Sequence, residues 1–256
     1  MKFFFPMSKA DPTVKLILLG NGSVGKTSII ARFIEDGFAK VYKQTVGLDF
    51  FEKLITLRGD KRAKLQLWDI GGQSIGSQML GKYIYGSDII FLCYDVTDRQ
   101  SFTDVEDWLG MVRTTFSPSN PEYEEKKKQP MIFLCGNKID LDHLRKIPEE
   151  VHDKFVRQNK LHDGFFTSAQ SGDNVTPVFY DAAGKSLGIK LSAFELEFHK
   201  KILSVTVAKD EERGNGDNDV AKQMEEEDLA QGGTFQDMLD RAAAEEKKGK
   251  KRCCLF

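Results

Sequence analysis

The chain has 256 residues, of which 40% are hydrophobic and 30% charged, so it can bury a core and keep a well-solvated surface. Its formal net charge of −2 argues against a globally basic surface that binds nucleic acid. No apolar run reaches the roughly 18 residues that a membrane-spanning helix needs. We therefore start from a globular protein with one large or two small domains.

Strand and helix patterns alternate from the N-terminal side onward. A short apolar strand is predicted at 14–20, where it ends at a glycine. A helical pattern with a glycine stop follows at 26–37. Two further strands, 48–57 and 63–70, are joined by a turn.

The second half of the pattern is dominated by two near-continuous apolar runs, 88–96 and 130–138. Such runs are typical of central parallel strands that are buried on both faces. Helices are predicted at 101–116 with Ser101 as the cap, at 148–159 and from about Thr176, with a short strand at 164–169. The alternation predicts an α/β fold with a mostly parallel sheet and right-handed crossovers.

The segment GNGSVGKT, Gly20 to Thr27, fits the phosphate-binding pattern G-x-x-x-x-G-K-[ST] between a strand and a helix. Glycines let backbone N–H groups wrap phosphates closely, and a side chain at Gly22 would crowd the terminal phosphate. Lys26 would reach the β- and γ-phosphates, and the Thr27 hydroxyl would ligate Mg²⁺. The predicted phosphate-binding residues are Gly22, Ser23, Val24, Gly25, Lys26, Thr27 and Ser28.

The segment NKID, Asn137 to Asp140, follows a predicted strand and indicates the base. A carboxylate at Asp140 can accept from both N1–H and the 2-amino group of guanine, a donor pair that adenine lacks. The segment TSAQ follows the next strand, where a backbone N–H could contact guanine O6. The predicted guanine-binding residues here are Asn137, Lys138, Asp140, Ser168, Ala169 and Gln170.

With these motifs, residues 13–190 resemble the Rab-type small GTPases, and most of all the Rab twenty-eight subfamily. YKQTVGLDFF, WDIGGQ and GKYIYG carry that closer resemblance. It implies a P-loop small G domain with a mostly parallel six-stranded sheet, helices on both faces, GTP or GDP as ligand and Mg²⁺ as cofactor. The chain departs from most of the family at Gly71 (usually Ala), Ser74 (usually acidic) and Gln170 (usually Lys).

The resemblance also implies individual roles. Thr45 and, through a water, Asp69 would join Thr27 as metal ligands. The Gly72 N–H would contact the γ-phosphate, and Gln73 would orient the attacking water. The implied catalytic residues are Gln73, Lys26 and Thr45. Phe38 would stack on guanine unless it is a core residue, and Tyr42 would cover the phosphates. Val46, Phe50 and Trp68 would form an effector surface, although Trp68 could equally be a core residue.

The pair Gly71-Gly72 has two interpretations. An isolated Gly-Gly is usually a tight turn. Beside a phosphate site, Gly72 is needed because a side chain there would keep the backbone away from the phosphate. Gly71 raises the entropy cost of ordering the segment. We then expect the segment to be ordered only while the γ-phosphate anchors it. Ser74 puts in doubt any exchange mechanism that uses the family's acidic residue.

The C-terminal part of the chain changes in composition near residue 207. Residues 209–246 contain 13 acidic and 4 basic residues, and KKGKKR and CCLF follow. We predict a disordered leader at 1–12, a G domain at 13–206 and a disordered tail at 207–256. Cys253 and Cys254 are lipidation candidates, under either a C-a-a-X ending with one geranylgeranyl group or a CCxx ending with two.

The other cysteines and the histidines have ordinary expected positions. Cys93 and Cys135 lie in apolar runs and are predicted to be reduced core residues. The four histidines show no metal-ligand spacing and are expected at the surface.

The expected function is a monomeric, GTP-hydrolysing switch on the cytosolic face of endosomal or ciliary/flagellar membranes. Its implied partners are an exchange factor, a GTPase-activating protein, effectors of the switch segments and a prenyl-binding escort or chaperone. A P-loop kinase or ATPase is disfavoured by NKID. A nucleotide-locked scaffold with negligible hydrolysis stays open because of Gly71 and Ser74.

Overall fold

The computed structural model describes residues 11–35, 45, 47–72, 79–120 and 129–197. The described strands form one six-stranded sheet in the order β2-β3-β1-β4-β5-β6. Their bounds are β1 Thr13–Leu19, β2 Leu48–Leu57, β3 Lys61–Ile70, β4 Ile89–Asp95, β5 Met131–Asn137 and β6 Asp163–Phe166. The pairing of β2 with β3 is antiparallel and the other pairings are parallel, so the predicted mostly parallel sheet is confirmed.

The helices are α1 Lys26–Glu35, α2 Leu80–Ile84, α3 Arg99–Thr103, α4 Val105–Thr115, α5 Glu149–Asn159 and α6 Val175–Ser186, with a 3₁₀ segment at Ile139–Leu144. The single helix expected from Ser101 is wrong. Asp98 caps α3 by accepting from the Gln100 N–H, whereas Ser101 lies inside that helix and is buried. None of the described helices is long and apolar enough to span a membrane.

Residues of β1 alternate between two hydrophobic clusters. Leu16 and Leu18 pack with side chains of α1 and α6 on one face of the sheet. Ile17 and Leu19 pack with side chains of α2, α4 and α5 on the other face. All seven residues of β4 are buried, as expected of a central strand covered on both sides. Helices therefore lie on both faces, which confirms that prediction, and the Cys93 and Cys135 thiols are buried and free.

Parallel strands bring their carboxyl ends to one edge of the sheet, where ligands bind in open α/β folds. The glycine-rich loop leaves β1 at this edge, and Asp69 lies near the end of β3. Asn137 ends β5, and the TSAQ segment follows β6. Four segments far apart in sequence therefore meet at a single edge.

His152 contradicts the prediction that the histidines lie at the surface. It is 1% exposed, and its Nδ1 lies 2.9 Å from the Tyr94 hydroxyl. Its ring packs against the Phe166 ring at 4.3 Å between centroids. Burial lowers the pKa of His152 to about 4. The helical pattern of α5 places position 152 inward, and burial keeps the histidine there in its neutral form.

We expect His152 to make the fold sensitive to acid. The unfolded chain binds the proton near pH 6.5, whereas the folded chain binds it only near pH 4. The free energy of unfolding should therefore keep its full value above pH 6.5 and fall as the pH drops from 6.5 to about 4. The loss should reach about 3 kcal/mol. Asp153 and Asp163 oppose the shift and Arg145 favours it. Urea unfolding at pH 7 and pH 5 should show a smaller pH effect in His152→Gln than in the native chain; equal effects would contradict this role.

Candidate nucleotide-binding site

The glycine-rich loop joins β1 to α1 at the carboxyl edge of the sheet. Ser23 and Gly25 have positive φ angles of 63° and 97°. A Cβ placed on Gly22 would meet nothing within 4 Å, so that position faces open space. Val24 is buried beneath the loop, and Ser28 lies half-buried in the first turn of α1. The predicted phosphate-binding residues from Gly22 to Ser28 thus occupy the loop before α1 and the first turn of that helix.

Lys26 lies across this turn. Its side chain is 6% exposed, and Nζ donates to the carbonyls of Gly20 at 2.7 Å and Asn21 at 2.8 Å. Burial lowers the pKa of Lys26, since its charge has lost solvent. A bound anion such as a polyphosphate would offset that desolvation cost.

Three oxygen-bearing side chains from distant segments meet near the lysine. The Thr27 hydroxyl donates to Asp69 Oδ2 at 2.5 Å and lies 2.7 Å from the Thr45 hydroxyl. Thr45 in turn donates to the same carboxylate oxygen at 3.3 Å. The structure therefore brings together all three residues that were expected to hold a metal.

The residues present fit a divalent cation. Asp69 Oδ1 is buried and has no hydrogen-bond partner among the described residues. Burial also raises the pKa of the Asp69 carboxyl, so the charged form is short of compensation. Hydroxyl and carboxylate oxygens are the ligands that Mg²⁺ prefers. A cation at this point would satisfy the unpartnered oxygen and the charge together.

Gly71 and Gly72 both lie in close contact with backbone of other segments. A Cβ on Gly72 would lie 2.1 Å from the Gly22 nitrogen, so any side chain would displace the phosphate loop. A Cβ on Gly71 would lie 2.7 Å from the Thr45 carbonyl oxygen, and the Gly71 N–H donates to Gly47 at 3.0 Å. The structure thus adds a steric reason for Gly71 to the entropic one, which stays a prediction.

Asn137 connects the phosphate loop to the predicted guanine loop. Its Nδ2 donates to the Val24 carbonyl at 2.8 Å. Its Oδ1 accepts from the Thr167 hydroxyl and from the Ala169 N–H, both at 3.2 Å. Every polar atom of this buried side chain is therefore used to hold two loops together.

Asp140 and Lys138 belong to the predicted guanine loop that follows β5. Asp140 is exposed, and its Oδ1 accepts from the hydroxyl of buried Ser168 at 2.5 Å. Lys138 has a left-handed backbone and pairs with Asp95 at 2.7 Å. Gln170 is exposed. The carboxylate is oriented by one partner and remains accessible to a ligand.

Sequence reasoning missed several residues that hold the loops. Asn21 Nδ2 donates to Asp104 at 2.6 Å, and Trp108 Nε1 donates to Asn21 Oδ1 at 3.0 Å. Trp108 lies on α4, and nothing in the sequence connects that position to the phosphate loop. Arg32, described below, was missed because its helical position looked like an ordinary surface charge.

The predicted effector surface is only partly described. Phe50 is 47% exposed and meets the Trp68 ring edge-on, with centroids 5.5 Å apart. The amine of Lys15 lies over the same indole, 4.2 Å from its centroid. Several predicted residues lie outside the described residues: Gln73, Phe38, Tyr42, Val46, Ser74, Cys253 and Cys254.

Comparison with known proteins agrees with this geometry. Residues 15–187 match the sequence profile described as the Ras family. The chain is 39% identical over 197 residues to Ras-related protein Rab-28 of Caenorhabditis elegans, covering 77% of this chain and 76% of that protein. It is 36% identical over 178 residues to Ras-related protein Rab-13 of Mesocricetus auratus, covering 69% and 82%. It is 37% identical over 174 residues to Ras-related protein Rab-3 of C. elegans, covering 68% and 74%. The chain therefore belongs to the Ras family, as a Rab-type small GTPase.

Proposed function

We propose that this chain is a switch that binds GTP, hydrolyses it and recruits partners only in the GTP form. The observation that carries the proposal is the convergence of Thr27, Thr45 and Asp69 beside the buried Lys26. Thr27 lies on α1 and Asp69 lies on β3. Thr45 precedes β2, and it contacts the other two residues only when its segment lies against the end of β3. A ligand that holds Thr45 would therefore also hold the segment that leads into β2.

Each residue has a separate part in binding triphosphate. Lys26 offsets charge on the β- and γ-phosphates, and the loop N–H groups bind their oxygens. Thr27, Thr45 and Asp69 would hold Mg²⁺, which when bound neutralises charge that develops on the phosphates during transfer. Gly72 brings the backbone against the phosphate loop at Gly22, where its N–H would contact the γ-phosphate. Loss of that phosphate would release both Thr45 and Gly72, which is an order-to-disorder switch.

The proposed base is guanine. Asp140 would accept from N1–H and the 2-amino group, and a backbone N–H of the TSAQ segment would donate to O6. Asn137 holds these two loops in one frame with the phosphate loop, so base and phosphate are bound at a fixed separation. Phe38 would add stacking on the ring.

The test of the function uses the native chain. GTP should displace a labelled GDP far better than ATP, which separates the switch from a P-loop kinase or ATPase. Single-turnover hydrolysis should proceed at about 10⁻⁴ to 10⁻² s⁻¹ alone and faster with cell extract. Tight GTP binding with no hydrolysis in either condition would favour a nucleotide-locked scaffold, for which Gly71 and Ser74 are the supporting residues.

We also propose that the C-terminus is a lipid anchor. One prenyl chain binds membrane only marginally, and each of the five basic residues in KKGKKR adds about 1 kcal/mol near an anionic leaflet. Under C-a-a-X processing, Cys254→Ser should leave membrane binding unchanged, whereas Cys253→Ser should abolish it. Under CCxx processing, Cys254→Ser should remove one of two chains and weaken binding.

Intact mass of the protein purified from cells measures the number of prenyl groups directly, and vesicle sedimentation measures the binding. An unmodified chain in the soluble fraction would contradict the anchor. The partners proposed with it are an exchange factor, an activating protein, an escort for the prenyl group and effectors of the switch segments. Endosomal or ciliary membranes are the proposed location.

A further inference from the structure

Arg32 lies in the middle of α1 and is 8% exposed, although arginine is almost never buried unless its charge is engaged. Its Nε donates to the Ala169 carbonyl at 3.0 Å. Its Nη2 donates to the Gln170 carbonyl at 2.5 Å. Two adjacent nitrogens of the planar guanidinium therefore hold two successive peptide carbonyls, a geometry that lysine cannot reproduce.

The two carbonyls belong to the loop that would read guanine. On its other side, the Ala169 N–H contacts Asn137 Oδ1 at 3.2 Å. The loop then turns back around the guanidinium, since a Cβ on Gly172 would lie 3.7 Å from Arg32 Cδ. Arg32 and Asn137 thus fix the Ala169 residue from its carbonyl side and its amide side.

The same helix starts in the phosphate site. Lys26 and Thr27 form the first turn of α1, and Arg32 stands six residues after Lys26. At 1.5 Å per residue this is a rise of about 9 Å. One rigid element therefore carries both the residues that engage phosphate and the residue that holds the base-reading loop.

We propose that Arg32 is a positioning residue for base recognition, which fixes the backbone at Ala169 and Gln170 so that an N–H group of this loop faces the oxygen at position 6 of guanine. This inference rests on the proposed function. Charge-assisted hydrogen bonds to buried carbonyls are about twice as strong as neutral ones, and an unpaired buried carbonyl is costly. Removal of the guanidinium should leave the loop free to move away from the base edge without altering the phosphate contacts.

The experiment measures affinity of the full-length chain for GDP, 6-thio-GDP and IDP, with Mg²⁺ present. Sulfur at position 6 is a poorer acceptor than oxygen, so 6-thio-GDP reports the contact between position 6 and the backbone of this loop. IDP lacks the 2-amino group and reports the Asp140 contact. In Arg32→Met, affinity for GDP should fall about 10- to 100-fold. The penalty for 6-thio-GDP should shrink toward none, while the penalty for IDP stays as in the native chain.

Arg32→Lys keeps the positive charge but donates from a single nitrogen, so it should restore part of the preference for GDP over 6-thio-GDP. It also serves as the test if Arg32→Met does not fold. An equal loss for all three nucleotides, with both penalties unchanged, would overturn the proposal and leave Arg32 a purely structural residue. Native protein that penalises IDP but not 6-thio-GDP would also overturn it. Native protein that does not prefer GDP to ADP would instead defeat the proposed function itself.

Discussion

Replacing Gln73 by leucine is expected to abolish activator-stimulated GTP hydrolysis and to leave nucleotide affinity unchanged. In the proposed site, affinity would come from the phosphate loop, Lys26 and the predicted metal ligands, whereas Gln73 would act only on the attacking water. Activating partners raise turnover in this enzyme class by up to about 10⁵-fold, and most of that increase should be lost. Single-turnover hydrolysis with the partner present and equilibrium binding of a non-hydrolysable GTP analogue measure the two quantities separately.

Gln66→Leu is the matched control for that substitution. Gln66 lies on β3, a few residues before the glycine pair, and its amide donates to Glu52 at 2.9 Å on an exposed surface. It makes the same chemical change away from the phosphate loop, so hydrolysis should stay within a few-fold of the native chain. Equal activity of Gln73→Leu and the native chain would remove Gln73 from the catalytic role.

The sheet and the loops could be predicted because their signals are local. The two central strands are continuous apolar runs, and the phosphate loop is a short pattern between a strand and a helix. The prediction of a single helix starting at Ser101 was wrong because local signals can also compete. Asp98 offers an equally good cap three residues earlier, and only its contact with the Gln100 N–H decides between them.

The rest of the site depends on contacts between distant segments, which periodicity cannot show. Arg32 reads as a surface charge on an amphipathic helix until the loop at Ala169 folds over it. His152 reads as a polar helix position until Tyr94 and Phe166 close around it. Resemblance to a family assigned Thr45 and Asp69, but the tertiary fold alone supplied the buried, unpartnered oxygen that makes a cation favourable there.

Asp140→Asn should reverse the choice of base from GTP to xanthosine triphosphate. Xanthine has a carbonyl where guanine has an amino group, so it suits an amide donor and not a carboxylate acceptor. The Ser168 hydroxyl, 2.5 Å from Asp140 Oδ1, can donate equally to an asparagine oxygen. The new side chain should therefore keep the orientation of the old one and aim its NH₂ group at the base.

The expected change in the ratio of the two affinities is about 10⁴-fold, since a site built to hydrogen-bond its ligand strongly rejects one that leaves polar groups unpaired. Asp142→Asn is the matched control, because Asp142 lies on the same 3₁₀ segment and pairs instead with Arg145 at 2.6 Å. It should leave GTP preferred. Competition of both triphosphates against labelled GDP gives the ratio for each variant. If Asp140→Asn still prefers GTP, Asp140 does not contact the base; if it binds neither nucleotide, the carboxylate instead holds the loop through Ser168.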